Sequence, residues 1–366
     1  MIIIIIGTKA ELIKTAPLML ELEKQKKEYL FVNTGQHNLT KECKEFGVRI
    51  PDVVLSEEPK KGTKFMSNIN RFSIFWSLSI ILKIRRLLRR TKKVTFVLVH
   101  SDTMSTVVAA IAASSLLNPG KKWKTVHLES GLRSESLREP FPEEIARKIG
   151  DRFSDILIAV SKRSENNLKK EGMRGRVLLL GNIAIDSALS AFERTKRQHK
   201  KIRGPYALVN VHRHENLRSR ERMTKIVSIV SKIPIKTYWP LHDGTRYYLE
   251  KYGLLKILKK NKNIVLSDLV SYSKFTNMLV HSKMLLVDGG SIQEESLIFK
   301  KPCLLLRMKT ERQEGLSTGI NFLTELNVEK TKKIIDNILN KNFKIPDVDN
   351  PYGGRGASKR VADILF

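Results

Sequence analysis

The sequence predicts an α/β protein built on two parallel sheets, and three observations carry that prediction. Short apolar runs recur along the chain, each followed by a longer stretch with helical spacing. The runs are continuous rather than alternating, which implies strands buried on both faces, as in parallel sheets covered by helices. The chain has 366 residues, 41% of them hydrophobic, which excludes a disordered chain and suits two domains of about 100–200 residues each.

In the first half, strands are expected at 2–6, 29–33, 95–100, 124–128, 155–160 and 177–180, and in the second at 206–211, 236–241, 263–266, 283–287 and 302–306. The opening run, Ile2 to Ile6, is entirely β-branched and stops at Gly7-Thr8-Lys9. The next runs stop at Thr34-Gly35-Gln36-His37, at His100-Ser101-Asp102 and at Glu129-Ser130-Gly131-Leu132-Arg133. In the second half they stop at His212-Arg213-His214-Glu215, at His242-Asp243 and at Asp288-Gly289-Gly290-Ser291. Open parallel sheets bind ligands outside the carboxyl ends of their strands, so these polar groups form a candidate site. Residues 1–190 are expected to form one domain and 191–350 the other. Between them Arg194, Lys196, Arg197, Lys200, Lys201 and Arg203 crowd a polar linker at 191–205. A ligand is expected in the cleft between the domains.

Lys and Arg number 67 against 37 Asp and Glu, so the formal charge is 67 − 37 = +30, which favours acidic partners. An apolar block from Phe72 to Leu82 runs into Lys83, Arg85, Arg86, Arg89, Arg90, Lys92 and Lys93. The segment from Phe72 to Lys93 reads either as a surface for an anionic membrane or as a core helix with a solvated basic end. Nucleic acid is disfavoured, because no helix-turn-helix, zinc-finger or RNP-type pattern accompanies the charge. No stretch approaches the ~20 apolar residues that cross a bilayer. The N-terminus lacks a signal-peptide pattern, and two cysteines cannot make a disulfide framework. The expected location is the cytoplasm, with peripheral membrane contact through the basic segment left as an open alternative.

The loop Gly289-Gly290-Ser291 enters a helix in which Ser291 and Glu294 have capping-box spacing. That pattern suits a phosphate at the helix N-terminus, and it is equally the pattern of an ordinary capped helix. Neither a G-x-G-x-x-G nor a Walker motif is present, which disfavours a dinucleotide oxidoreductase and a P-loop NTPase. Asp102, Glu129 and Glu143 come from successive elements, and carboxylates beside a cleft can divide acid and base roles. Glu143-Glu144 after Pro142 is also a common helix start. The histidines His100, His127, His212, His214 and His242 are scattered over separate strands, so no metal site is expected.

Several segments resemble the non-hydrolysing UDP-N-acetylglucosamine 2-epimerases. They are Gly7 to Pro17, Thr34 to His37, His100-Ser101-Asp102-Thr103, His127 to Arg133, Pro142-Glu143-Glu144 with Arg147, and Gly181-Asn182 with Asp186. His212 to Asn216, Asp288 to Glu295, Thr310-Glu311-Arg312 and Asn350-Pro351-Tyr352-Gly353 continue the series in the same order over nearly the whole chain. The resemblance implies a GT-B fold, two Rossmann-like domains with the active site between them, and a C-terminal helix at 357–365 packing back on the first domain. It implies elimination of UDP from a UDP-N-acetylhexosamine with loss of the C2 proton, then re-addition, converting UDP-GlcNAc to UDP-ManNAc for a surface polysaccharide or glycan.

By the same resemblance Asp102, Glu129, Glu143 and His212 are catalytic. Lys9, Lys14, Arg133, His242, Gly289, Gly290, Ser291, Glu295 and Arg312 bind the substrate. No metal or redox cofactor is implied, and a homodimer is expected. The departures sit at the ligand: Lys9 replaces an arginine fork, Ser291 places the loop hydroxyl third rather than first, Gln313 replaces proline and Ala146 replaces asparagine. Three alternatives stay open: a hydrolysing 2-epimerase, a membrane-docked GT-B glycosyltransferase, and a nucleotide-sugar-binding regulator without turnover.

Overall fold

The computed structural model describes residues 1–58, 71–136, 142–196 and 202–365. The chain divides into two compact units, Met1–Ser187 with Tyr352–Phe366, and Ala188–Pro351.

The first unit opens with β1 (Ile2–Ile6), α1 (Lys9–Lys24), β2 (Tyr29–Asn33), α2 (Thr40–Phe46) and β3 (Val53–Val54). It continues with α3 (Arg71–Arg90), β4 (Phe96–His100), α4 (Met104–Ala113), β5 (Lys124–Ser130) and α5 (Glu143–Arg152). The series ends with β6 (Ile156–Ala159), α6 (Lys162–Lys170), β7 (Arg176–Leu179) and α7 (Ile183–Thr195), and the boundary between the units falls inside α7. That helix occupies the start of the segment expected to be a polar linker, while Arg197, Lys200 and Lys201 lie outside the described residues. The sheet order is β3-β2-β1-β4-β5-β6-β7, every pairing parallel. All five isoleucines of β1 are fully buried, each worth about 1.5–3 kcal/mol of transfer free energy. Continuous rather than alternating burial is what a central parallel strand needs.

In the second unit β8 (Tyr206–Asn210), α8 (His214–Leu217), α9 (Arg220–Ser231), β9 (Lys236–Leu241), α10 (Asp243–Lys251) and α11 (Leu255–Lys260) come first. Then follow β10 (Ile264–Asp268), α12 (Tyr272–His281), β11 (Met284–Val287), α13 (Ile292–Ile298), β12 (Cys303–Leu305), β13 (Asn321–Leu323) and α14 (Val328–Leu339). The order is β10-β9-β8-β11-β12-β13, again parallel. Both sheets switch direction beside their first strand, the place where open α/β sheets hold ligands. Two edge strands, β3 and β13, are absent from the sequence expectation. β3 has two residues, and β13 is bounded by polar Asn321 and Thr324, so neither stands in an extended apolar run.

The C-terminal segment belongs to the first unit and ends in α15 (Ala357–Ile364). The Asp186 carboxylate accepts from Gly356 N and Ser358 N at 2.7 Å each, and Asn182 N donates to Tyr352 O at 3.0 Å. Helix α3 is apolar on two sides. Trp76, Ile80, Ile84 and Leu88 enter the core, while Ile74, Phe75, Leu78 and Leu82 are exposed. Among the described residues no helix is long and apolar enough to cross a membrane.

Candidate active site

In the first unit the polar residues collect beyond β4 and β5, on a backbone that is locally strained. Ser101 and Glu129 have φ values of 66° and 64°, a left-handed conformation that costs a non-glycine residue about 1–3 kcal/mol. Glu129 also interrupts the β5–β6 register between Leu128 and Ser130. A bulge at a strand end re-aims a side chain.

Lys14, from α1, places Nζ 2.6 Å from Glu129 Oε2 and 3.4 Å from Ser101 Oγ. Asn182 Nδ2 donates to Glu129 Oε1 at 3.4 Å. His100 lies behind them, its Nε2 3.7 Å from Glu129 Oε2 and its Nδ1 2.7 Å from Thr15 Oγ1. Burial pushes the His100 imidazole down to about 3, so the ring is neutral. Asp102 accepts from Ser101 Oγ at 3.0 Å and pairs with Arg147. Arg147 also reaches Glu144 Oε2 at 3.0 Å, and Glu144 accepts from Ser134 N and Oγ at 3.1 Å each. The structure thus joins Asp102, Glu129 and Lys14. Glu143 opens α5 half-buried, while its neighbour Glu144 holds Arg147.

Arg133 and Lys9, two of the expected substrate ligands, are paired with carboxylates. Arg133 is buried against Asp151 at 2.7 Å and against both Glu171 oxygens at 2.9 and 2.7 Å. Lys9 pairs with Glu42 at 2.9 Å on the surface. The turn Gly7-Thr8 is closed by Glu11, which accepts from Gly7 N at 2.9 Å and Thr8 N at 2.8 Å in a capping box.

The second unit organises its strand ends around Asp288, fully buried after β11. Its carboxylate accepts from His212 N, Arg213 N and Asn216 Nδ2, each at 3.0 Å. Burial raises this carboxyl above its ordinary range, and those donors oppose the shift. The His212 ring donates from Nδ1 to Asn210 Oδ1 at 2.8 Å and stacks on His242, centroids 4.7 Å apart. Burial pushes His242 down to about 4, and it also lowers His212, so both rings are neutral at pH 7.

Gly289 and Gly290 run between His212 and Arg312. A Cβ on Gly289 would lie 3.3 Å from His212 Cε1, and one on Gly290 would lie 2.7 Å from Arg312 Nη1. A side chain at 290 would have to displace the buried Arg312–Glu311 pair. Arg312 is itself buried, donating to Glu311 Oε1 at 2.6 Å and to Glu294. Glu295 accepts from the Tyr272 hydroxyl at 3.1 Å. One expectation is corrected: Ser291 has helical dihedrals, φ −59° and ψ −30°, and its side chain makes no cap bond, so Ser291 and Glu294 do not form a capping box. An N-cap hydroxyl needs an extended backbone to reach the next turn.

Several contributors were not singled out by sequence reasoning. Glu144 and Asn182 lie inside recognised motifs, and Asn210 two residues before a strand-end histidine was the available signal. For left-handed Ser101 and Glu129 no sequence signal exists, because neither is glycine.

Two Rossmann-like units, one with aimed carboxylates and the other with a glycine loop entering a helix, define a GT-B protein of the nucleotide-sugar kind. The chain belongs to the UDP-N-acetylglucosamine 2-epimerase family, whose model matches residues 20–366. It is 31% identical over 376 residues to the UDP-2,3-diacetamido-2,3-dideoxy-D-glucuronate 2-epimerase of Pseudomonas aeruginosa, covering 100% of this chain and 99% of the relative. It is 30% identical over 379 residues to the UDP-N-acetylglucosamine 2-epimerase of Methanocaldococcus jannaschii, covering 99% and 98%. The crystal structure of the Methanocaldococcus jannaschii enzyme in complex with UDP-GlcNAc and UDP superposes with a TM-score of 0.84 at 29% identity, covering 100% of this chain and 99% of that one.

Proposed function

We propose that this protein is a non-hydrolysing epimerase acting at C2 of a UDP-N-acetylhexosamine, converting UDP-GlcNAc to UDP-ManNAc. The observation that carries the reading is the pairing of Glu129 with Lys14, 2.6 Å apart, beside Asp102 on strained backbone. A carboxylate beside a cation suits removal of a carbon acid proton, because one group takes the proton while the other steadies developing charge. In the reaction the C2–H bond breaks as its proton passes to a carboxylate, the C1–O bond to UDP breaks, and a C1–C2 double bond forms. A proton then returns to C2 on the opposite face and UDP adds again at C1, so atoms balance and no water is consumed. Asp102, Glu129 and Glu143 divide the proton transfers, with Glu144 and Arg147 positioning Asp102. The Gly289–Ser291 loop, Glu295 and Arg312 form the UDP site with His242 binding substrate beside them, while His212 lies close to the chemistry and Lys14 serves the reacting sugar. The related enzyme crystallised with UDP-GlcNAc and UDP supports a UDP-sugar substrate.

Proton NMR with UDP-GlcNAc in deuterated water tests the reading. Deuterium at C2 with a UDP-linked manno product is expected, and free sugar would indicate the hydrolysing type. Unchanged UDP-GlcNAc would contradict the substrate assignment, and the 2,3-diacetamido uronate substrate is then the next one to try.

Two contacts complete the proposal. A homodimer is expected by sedimentation velocity, and a monomer at all concentrations would contradict it. Exposed Ile74, Phe75, Leu78 and Leu82 with Arg86, Arg89 and Arg90 beyond them on α3 match an anionic bilayer surface. Co-sedimentation with anionic vesicles, weakening with salt, is the expected result, and none at low salt would contradict it.

A further inference from the structure

His127, fully buried on β5, makes two hydrogen bonds whose partners are both acceptors. Its Nδ1 lies 2.7 Å from Asp151 Oδ1 and its Nε2 lies 2.8 Å from the carbonyl oxygen of Ser101. A backbone carbonyl has no proton to give, so Nε2 must donate. Asp151 also accepts from Arg133 Nη2 at 2.7 Å through its other oxygen. Burial alone would raise the Asp151 carboxyl, but the His127 and Arg133 bonds outweigh it and hold the group below its ordinary value. With the Arg133 guanidinium on its other oxygen, Asp151 is a carboxylate, and Nδ1 donates as well. Both ring nitrogens carry protons.

The Ser101 carbonyl belongs to the peptide that joins Ser101 to Asp102, and Ser101 is left-handed, φ 66°, although it is not glycine. A charge-assisted bond to that oxygen fixes the plane of the peptide from which Asp102 departs. Helix α5 closes the arrangement. It supplies Asp151 to His127 and, one turn earlier, Arg147 to Asp102. Its Gly150 backs the ring so closely that a Cβ there would lie 2.7 Å from His127 Cε1.

We propose that His127 is a positioning residue for the epimerisation: its doubly protonated ring, anchored by Asp151, holds the left-handed Ser101 turn and thereby aims Asp102. Fully buried, His127 acts through the Ser101 peptide. The inference rests on the epimerase reading.

The test compares His127→Gln in three backgrounds: native Ser101, Ser101→Ala and Ser101→Gly. Alanine and glycine both remove the hydroxyl, but only glycine adopts a positive φ without cost. His127→Gln is expected to lower kcat for UDP-GlcNAc about tenfold or more in the native and alanine backgrounds, the size of one charge-assisted hydrogen bond. KM and the Kd for UDP are expected to stay within about twofold, since the ground-state contacts are not touched. In the glycine background the loss should shrink several-fold. An equal loss in all three backgrounds, or a loss seen in KM and thermal stability alone, would overturn the proposal. If His127→Gln fails to fold, Gly150→Ala displaces the ring while keeping its chemistry and carries the same three-background comparison. Independently of turnover, nitrogen-15 NMR of the wild-type protein should show both His127 ring nitrogens protonated. A bare ring nitrogen overturns the inference while leaving the epimerase reading standing. A wild-type protein that turns over no nucleotide sugar removes that reading instead.

Discussion

The strand ends of the two units differ in how they hold their polar groups. In the first, Lys14 and Arg147 each sit on a carboxylate, and two non-glycine residues, Ser101 and Glu129, accept left-handed backbone to aim them. In the second, neutral His212 and His242 stack, one buried carboxylate gathers three N–H donors, and glycines bring bare backbone against Arg312. On the proposed reading, the first arrangement serves proton transfer and the second serves binding of the diphosphate.

That contrast can be broken most severely from the first unit. Lys14→Ala is expected to lower kcat about 10²–10⁴-fold, the range of a lost proton-transfer partner, while UDP affinity by calorimetry changes little. A matching loss of UDP affinity would merge the two roles.

Asp288→Ala comes next, because it leaves the His212 N, Arg213 N and Asn216 donors without their acceptor. The expected cost is about 2–4 kcal/mol of stability, read from denaturant unfolding. UDP binding should weaken with it.

Gly290→Ala sharpens the comparison with a smaller change. Its Cβ meets Arg312 Nη1 at 2.7 Å, so the UDP Kd and the KM are expected to rise about tenfold with kcat nearly unchanged. A fall in kcat at constant KM would place this loop in the chemistry.

The smallest effect is on pH. His100 and His242 are pushed by burial from 6.5 down to about 3 and about 4. Both are neutral when folded and bind a proton near pH 6.5 when unfolded, so below that pH the unfolded chain holds more protons. The stability they contribute is present above pH 6.5 and is lost as pH falls toward their folded values. Unfolding free energies at pH 7, 6 and 5 should decline, and His100→Asn should flatten the decline. A pH-independent stability over that window would show that these rings are not held neutral.

Much of this was legible in the sequence, for physical reasons. Central strands such as Ile2–Ile6 announce themselves because burial on both faces demands continuous apolar runs. Asp102, Glu129, His212 and Asp288 stand out because each ends such a run. The strands Val53–Val54 and Asn321–Leu323 are edge pairings that stand in no extended apolar run. The choice between Glu143 and Glu144 depends on the rotational phase of α5 at its first turn, which adjacent identical residues cannot encode. The role of Ser291 turned on whether the loop enters its helix extended or already helical, and residue types alone admit both. The left-handed turns at Ser101 and Glu129 sit among tertiary bonds to residues far along the chain, which no local pattern records.

The central claim is that proton transfer belongs to the first unit and UDP binding to the second. Glu129→Gln separates them in one experiment, with deuterium incorporation at C2 of UDP-GlcNAc and UDP affinity measured on the same sample. The account predicts normal UDP binding with neither deuterium at C2 nor epimer formed. Deuterium incorporation at the wild-type rate, or loss of UDP binding in step with turnover, would contradict it.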